Sequence, residues 1–220
     1  MAALRKRIDL YVGPGVSVSR DDLPLLDKSG DYVAELKHDG FWCLAGIEDG
    51  NVYSLLSRKG LPLSAPGLLG ERVASAGAGL LVGELVSDIV DGEDGEARTG
   101  TKRLHLFDAI SFNGHDLRAL PLEDRRDALQ MIAGTFAGQT AEEHLFLVER
   151  RESGFLAWYD AEVSRDGKSR LIGKRAEGLV LKRRGTAYRA GKADGKVDFW
   201  LRCKPLATVD YVVKIGRAHV

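Results

Sequence analysis

Residues 34–42 read AELKHDGFW, an apolar approach followed by an amine, a carboxylate and a glycine within four positions. The preceding run, DYVAELK at 31–37, has the length and composition of a strand, which places Lys37 at a strand end. A lysine acts as a nucleophile only while its amine is neutral, and that takes desolvation or neighbouring positive charge. A strand end that delivers Lys37 into a pocket, with Gly40 letting the backbone turn sharply behind it, supplies such a setting. On its own the tetrapeptide KHDG is better read as a surface turn, so a catalytic meaning depends on the rest of the chain.

A chain of 220 residues can bury a sizeable core, and 44% hydrophobic with 29% charged residues is the balance of a folded soluble domain. The 32 basic and 32 acidic residues cancel, which excludes a uniformly basic nucleic-acid binder and leaves room for a local basic face. Cys43 and Cys203 stand too far apart in sequence for a metal-ligand pair, and two cysteines make no disulfide framework. Cys43, inside an aromatic-led strand, is expected to be buried. No apolar run reaches membrane-spanning length, and MAALRKRIDLY lacks the apolar core of a secretory signal. A cytoplasmic protein with no membrane partner is expected.

Short apolar runs bounded by Gly, Asp and Asn dominate: FWCLAGI (41–47), NVYSLLS (51–57), GLLVGELVSDIV (79–90), RLHLFDAISF (103–112), HLFLVER (144–150), EGLVLKRR (177–184), DFWLRCKP (198–205) and VDYVVKI (209–215). Each has strand length, and EDGN at 48–51 predicts a hairpin turn. PLEDRRDALQMIAGTF (121–136) and GFLAWYDAEVS (154–164) read as helices, the first with Leu122, Leu129 and Ile132 on one side. Strands mixed with a few helices predict an α+β fold. SDIVDGEDGEARTGTKR (87–103) and RAGKADGKVD (189–198) read as solvated loops, the first without EF-hand ligand spacing.

The runs carry chemistry in a fixed order. After Lys37, LLSRKG ends a strand at Ser57 and Arg58, and LVGELV holds Glu84 inside an apolar run. LHLFDA sets Phe107 before Asp108, AEGLVLK holds Glu177 and Lys182, and FWLRCKP alternates Arg202 and Lys204. This series, over roughly residues 24–214, resembles the motifs of ATP-dependent DNA ligases and their nucleotidyltransferase superfamily. HDLRALPLEDRR and AYRAGK…FWLRCKP are most similar to the bacterial ligases of end joining and repair. RNA ligases and mRNA-capping enzymes fit those stretches less well. They stay as alternatives, beside a noncatalytic DNA-binding remnant.

The resemblance implies an adenylation domain of two packed antiparallel sheets flanked by helices, ATP-grasp-like, with the nucleotide in the groove between the sheets. It implies ATP as AMP donor, Mg²⁺ as cofactor, nicked duplex DNA as substrate and end-joining or repair proteins as partners of a monomer. Lys37 resembles the nucleophile that takes AMP, Glu35 the reader of the adenine amino group and Phe107 the ring stacked on the base. Arg58 and Glu84 resemble the pair near the ribose and 5′-phosphate. Glu177, with Glu84 as second candidate, resembles the magnesium ligand, and Arg202 with Lys204 the phosphate-contacting pair. Phosphoryl transfer depends on positioning and charge neutralisation, which is what cations and a carboxylate-held metal supply. His38, His105, His115 and His144 read as structural or surface residues.

Two departures stand out. Trp42 occupies the position where the family usually has arginine, and an indole has one donor and no charge. Arg202 stands where lysine is usual. The expected division is an N-terminal extension (1–23), the adenylation domain (24–207) and the start of an oligonucleotide-binding barrel (208–214). The closing IGRAHV (215–220) matches what a sequencing adapter would encode and is expected to be non-native. An adenylation domain without its barrel would self-adenylate and seal nicks poorly.

Overall fold

The computed structural model describes residues 15–48, 51–64, 79–91, 97–134, 145–163, 176–189 and 197–205. Within them lie strands β1 (Gly15–Val18), β2 (Tyr32–Lys37), β3 (Phe41–Glu48), β4 (Asn51–Ser57), β5 (Gly79–Asp91), β6 (Ala97–Phe112), β7 (His115–Asp116), β8 (Leu145–Leu147), β9 (Arg150–Arg151), β10 (Gly178–Arg183) and β11 (Val197–Cys203). Helices α1 (Leu23–Ser29), α2 (Leu122–Gly134) and α3 (Phe155–Glu162), with a single 3-10 turn at Arg20–Asp22, complete the set. One sheet runs β1-β11-β10-β2-β9 and the other β4-β3-β5-β6-β7, with β8 against β6.

Strand alternation divides the side chains into three cores. Ala34, Leu36, Leu179, Leu181 and Leu201 of the first sheet pack against Leu23 of α1 and Phe155, Trp158 and Tyr159 of α3. Cys43, Ala45, Leu81, Leu85, Leu104 and Leu106 of the second sheet pack against Leu129 and Ile132 of α2. The inner faces meet through Leu44, Leu56, Val82 and Ile110 on one side and Tyr188 and Phe199 on the other. The α+β class and the pair of sheets flanked by helices are as the sequence predicts. Both sheets are antiparallel apart from two pairs, β1 with β11 and β6 with β8, which run parallel.

Several short elements were not anticipated. Helix α1 is only seven residues long, so it shows no periodicity; Pro24 opens it and Gly30, at φ 71°, closes it in the left-handed conformation. Strand β1 lies ahead of residue 24, within the stretch assigned to an extension, and pairs with β11. Strand β7 is a two-residue partner to Ser111 and Phe112. The reading of 87–103 as a loop is corrected over most of its length: Ile89 pairs with Thr99, Val90 with Arg98 and Asp91 with Ala97. Backbone pairing across the hairpin there overrides the acidic, glycine-rich composition. Residues 49–50 of the EDGN turn, the 190–196 segment, the barrel-entry strand and the 215–220 tail lie outside the described residues.

Candidate active site

The alternation that buries Ala34 and Leu36 behind the first sheet turns Glu35 and Lys37 towards the second. The same period turns Val180 and Lys182 of β10, and Trp200 and Arg202 of β11, inwards, while Trp42 and Glu84 face them from β3 and β5. Phe107 reaches the inner side at a bulge, since Val82 pairs with Asp108 and Gly83 with Leu106, leaving Phe107 as the extra residue. These side chains line one cleft of about 720 Å³, together with Arg58 and Lys204. Every candidate residue except Glu177 lines it, and Glu177 bonds to two lysines that do.

Lys37 Nζ donates to Glu177 Oε1, and Lys204 Nζ donates to Glu177 Oε2 at 2.7 Å. Burial pushes the Glu177 carboxyl up, but the hydrogen bonds from Lys204 and Lys37 outweigh it and hold the group below the usual carboxylate range. Gly178 makes this possible, because a Cβ there would lie 2.2 Å from the Cys203 carbonyl oxygen. Strand β10 therefore approaches β11 closely enough for Lys204, one residue past the strand end, to reach Glu177. Arg202 NH2 lies 3.4 Å from Ser17 Oγ of β1.

Burial raises Glu84 to about 7, against lowering by the Lys37 charge and a hydrogen bond from the Gly40 backbone N–H, and Glu177 and Asp39 raise it further. The two glutamates come from opposite sheets and repel one another, an arrangement that suits a hard cation held by carboxylates and substrate phosphates. Among the described residues no cluster of three or more metal-ligating side chains occurs. Gly40 is needed for contact rather than for a left-handed turn: a Cβ would lie 2.4 Å from the Leu85 carbonyl oxygen. Trp42 pairs in register with Glu84, so the position that resembles an arginine site brings aromatic surface and no charge to that carboxylate.

Deeper in the cleft Glu35 and Lys182 are 2% and 1% exposed and ion-paired at 2.6 Å. Lys182 Nζ also donates to the Phe107 carbonyl at 2.9 Å and lies 4.9 Å from the Phe107 ring centre and 4.8 Å from that of Trp200. Glu35 Oε1 is buried without a hydrogen-bond partner among the described residues. Sequence reasoning gave Lys182 and Trp200 no role. The available signal was alternation: Lys182 stands two positions from Val180, and Trp200 two from Arg202, on the face that carries the site.

Sequence reasoning also set His38 and His105 aside. The His38 ring stacks on His105 with centroids 3.8 Å apart, and His105 stacks on Phe146 at 5.4 Å. This column ties the residue after Lys37 to β6 and β8 of the other sheet. Burial lowers His38 from 6.5 to about 4, assisted by the Lys37 charge, and lowers His105 to about 3. An imidazole lowered on folding resists protonation in the native state, so stability present above about pH 6.5 is lost as pH falls towards 4. The urea midpoint is expected to drop between about pH 7.5 and about pH 5, and to drop less in a His38→Phe/His105→Phe variant. Equal losses in both proteins would contradict the stack as their source. Cys43 is buried as expected, with its thiol pushed up by burial.

The cleft thus places a lysine among carboxylates and cations, with a buried acid–base pair and an aromatic ring behind it. Residues 70–204 match the ATP dependent DNA ligase domain family, and the chain belongs to that family. The multifunctional non-homologous end joining protein LigD of Pseudomonas aeruginosa is 30% identical over 221 residues, covering 87% of this chain and 23% of that protein. A mycobacterial DNA ligase D solved with ATP and MES superposes with a TM-score of 0.60 at 23% identity, over 88% of this chain and 60% of that one. The ATP-dependent DNA ligase of bacteriophage T7, in complex with ATP, gives 0.59 at 17% identity, over 90% and 70%. The chain thus spans less than a quarter of the LigD relative. No helix among the described residues is long and apolar enough to cross a membrane.

Proposed function

We propose that the chain binds ATP in the cleft between the sheets and that Lys37 Nζ attacks the α-phosphorus. A P–N bond forms, the bond from the α-phosphorus to the bridging oxygen breaks, pyrophosphate leaves, and the amine loses a proton. In the whole protein the AMP would pass to the 5′-phosphate of a nick in duplex DNA, and the 3′-hydroxyl would then displace it. Arg58, Arg202 and Lys204 supply positive charge at the phosphate end of the cleft. Glu177 and Glu84 would hold Mg²⁺, which supplies charge neutralisation on the phosphates when bound. Repair or end-joining proteins are the partners this reading implies.

The observation that carries the nucleotide choice is the buried Glu35–Lys182 pair beside Phe107. Glu35 Oε1 is an acceptor without a partner among the described residues, and Lys182 has a third N–H beyond those given to Glu35 and the Phe107 carbonyl. An acceptor next to a donor complements the adenine edge, amino group and N1. It opposes guanine, which presents a carbonyl oxygen and an N–H there, so ATP is favoured over the GTP of capping enzymes.

The test is the ratio of protein-bound label from α-labelled ATP and α-labelled GTP. Wild type is expected to favour ATP by at least about tenfold. In Glu35→Gln the amide oxygen can keep Lys182 and turn its NH₂ to the base, a donor that suits guanine, so the ratio should fall by about tenfold or more. An unchanged ratio would remove Glu35 from base reading.

A further inference from the structure

A second cavity, of about 380 Å³, is lined from α2, from β9 with the residue after it, and from Arg184 just beyond β10, and it shares no lining residue with the nucleotide cleft. Arg126, Arg150 and Arg184 meet Glu123, Asp127 and Glu152 there. Arg126 Nη2 donates to the Val148 carbonyl at 2.8 Å, which fixes the guanidinium, yet its Nε and Nη1 are buried with no hydrogen-bond partner among the described residues. Arg150, its side chain 11% exposed, has Nε 2.9 Å from Glu152 Oε1 but out of line for a hydrogen bond, so that donor is also unmet. Glu123 Oε2 accepts from the Gly185 N–H at 3.0 Å, while its Oε1 is buried without a partner among the described residues. The more exposed Glu152 and Arg184, ion-paired at 2.5 Å, form the outer rim.

Buried polar groups are almost always paired, so orphaned donors and an orphaned acceptor around one cavity point to a missing group. Unmet guanidinium donors call for an anion, and the unmet Glu123 oxygen calls for a donor. Burial lowers Arg126 from its ordinary value, against the raising effect of Glu35, so this cation stands without full compensation. We propose that the cavity binds free monohydrogen phosphate, with oxygens accepting from Arg126 and Arg150 and the hydroxyl donating to Glu123 Oε1. The Glu152 carboxylate now sits where a phosphate oxygen would meet Arg150; being 58% exposed, it can turn out to solvent and admit the ion to Arg126 behind it. Arginine with phosphate makes short, charge-assisted bonds that favour the exchange. Sulfate carries no proton near neutral pH, and the dianion of a phosphate ester has none left, so each sets an oxygen lone pair against Glu123. The proposal is independent of the reaction assigned to Lys37.

The test is isothermal titration calorimetry of inorganic phosphate, sulfate and methyl phosphate into the full chain, freed of all three, for wild type, Glu152→Ala, Glu123→Gln, Arg150→Met and Arg202→Ala/Lys204→Ala. Wild type is expected to prefer phosphate to the other two by about tenfold or more, since only phosphate satisfies Glu123. Glu152→Ala removes a competing carboxylate at an exposed position and should tighten phosphate binding by about tenfold. In Glu123→Gln the amide can donate to any oxyanion, so the three affinities should come within about threefold of one another. Arg150→Met should weaken phosphate binding by about tenfold or more. A wild type that binds no phosphate, or binds sulfate equally well, overturns the proposal, as does an affinity that Glu152→Ala fails to raise. Phosphate binding lost in Arg202→Ala/Lys204→Ala and kept in Arg150→Met would place the ion in the nucleotide cleft and overturn it too.

Discussion

Replacing Lys37 with alanine is expected to lower covalent labelling by α-labelled ATP by at least about a thousandfold, which corresponds to about 4 kcal/mol of barrier. The two other lysines bonded inside the site are not placed to substitute. Lys182 is committed to Glu35 and the Phe107 carbonyl, and Lys204 is bonded to Glu177 on the far side of that carboxylate. Lys37→Arg should be equally inactive, because a guanidinium stays protonated and offers no lone pair to phosphorus. Binding of ATP should survive both changes, since Phe107, Glu35 and Lys182 are untouched. Label retained by Lys37→Arg would show that the phosphate is attacked by something else.

The second large effect concerns stability. Asp108 and Arg125 are each 1% exposed and joined by Nε to Oδ1 at 2.8 Å and NH2 to Oδ2 at 3.1 Å. Arg125 NH1 donates further to the carbonyls of Leu120 and Thr186, its guanidinium lies 5.6 Å from the Tyr188 ring centre, and Asp108 Oδ1 accepts from the Ala109 N–H. One side chain thus joins β6, α2 and the segment after β10, immediately beside Phe107. Arg125→Ala leaves a buried carboxylate without its cation and strips two carbonyls of a donor, a loss of about 3–5 kcal/mol. Urea denaturation measures it. Asp108→Leu/Arg125→Leu should recover part of that loss, because a buried ion pair replaced by apolar groups is often close to neutral. A loss below about 1 kcal/mol in Arg125→Ala would show that the network contributes little.

Local pattern made much of the architecture legible. β4 runs over the predicted 51–57, and α2 and α3 begin within a residue or two of the predicted starts, because each carries an apolar period of its own. Helix α1 and strand β7 are too short to show a period, and β1 is fixed by a partner about 180 residues away. The arms of the β5–β6 hairpin hold through pairing with each other, which composition does not reveal. The site candidates could be named because they stand at strand ends or in alternation. What each would touch could not, since Lys37 and Glu177 are 140 positions apart and meet only once β2 and β10 are paired. The role of Lys182, named in its motif, was not legible for a related reason: its neighbours Glu35, Phe107 and Trp200 come from three other strands. Trp42 is legible as a departure, and the fold adds that it faces Glu84.

The central claim is that Lys37 carries AMP, and peptide-level mass spectrometry after incubation with ATP and Mg²⁺ tests it most directly. The expected result is a single adenylated peptide whose fragment ions place the modification on Lys37. AMP on Lys182, Lys204 or another side chain, or Lys37 unmodified in a protein that has bound ATP, would contradict the account.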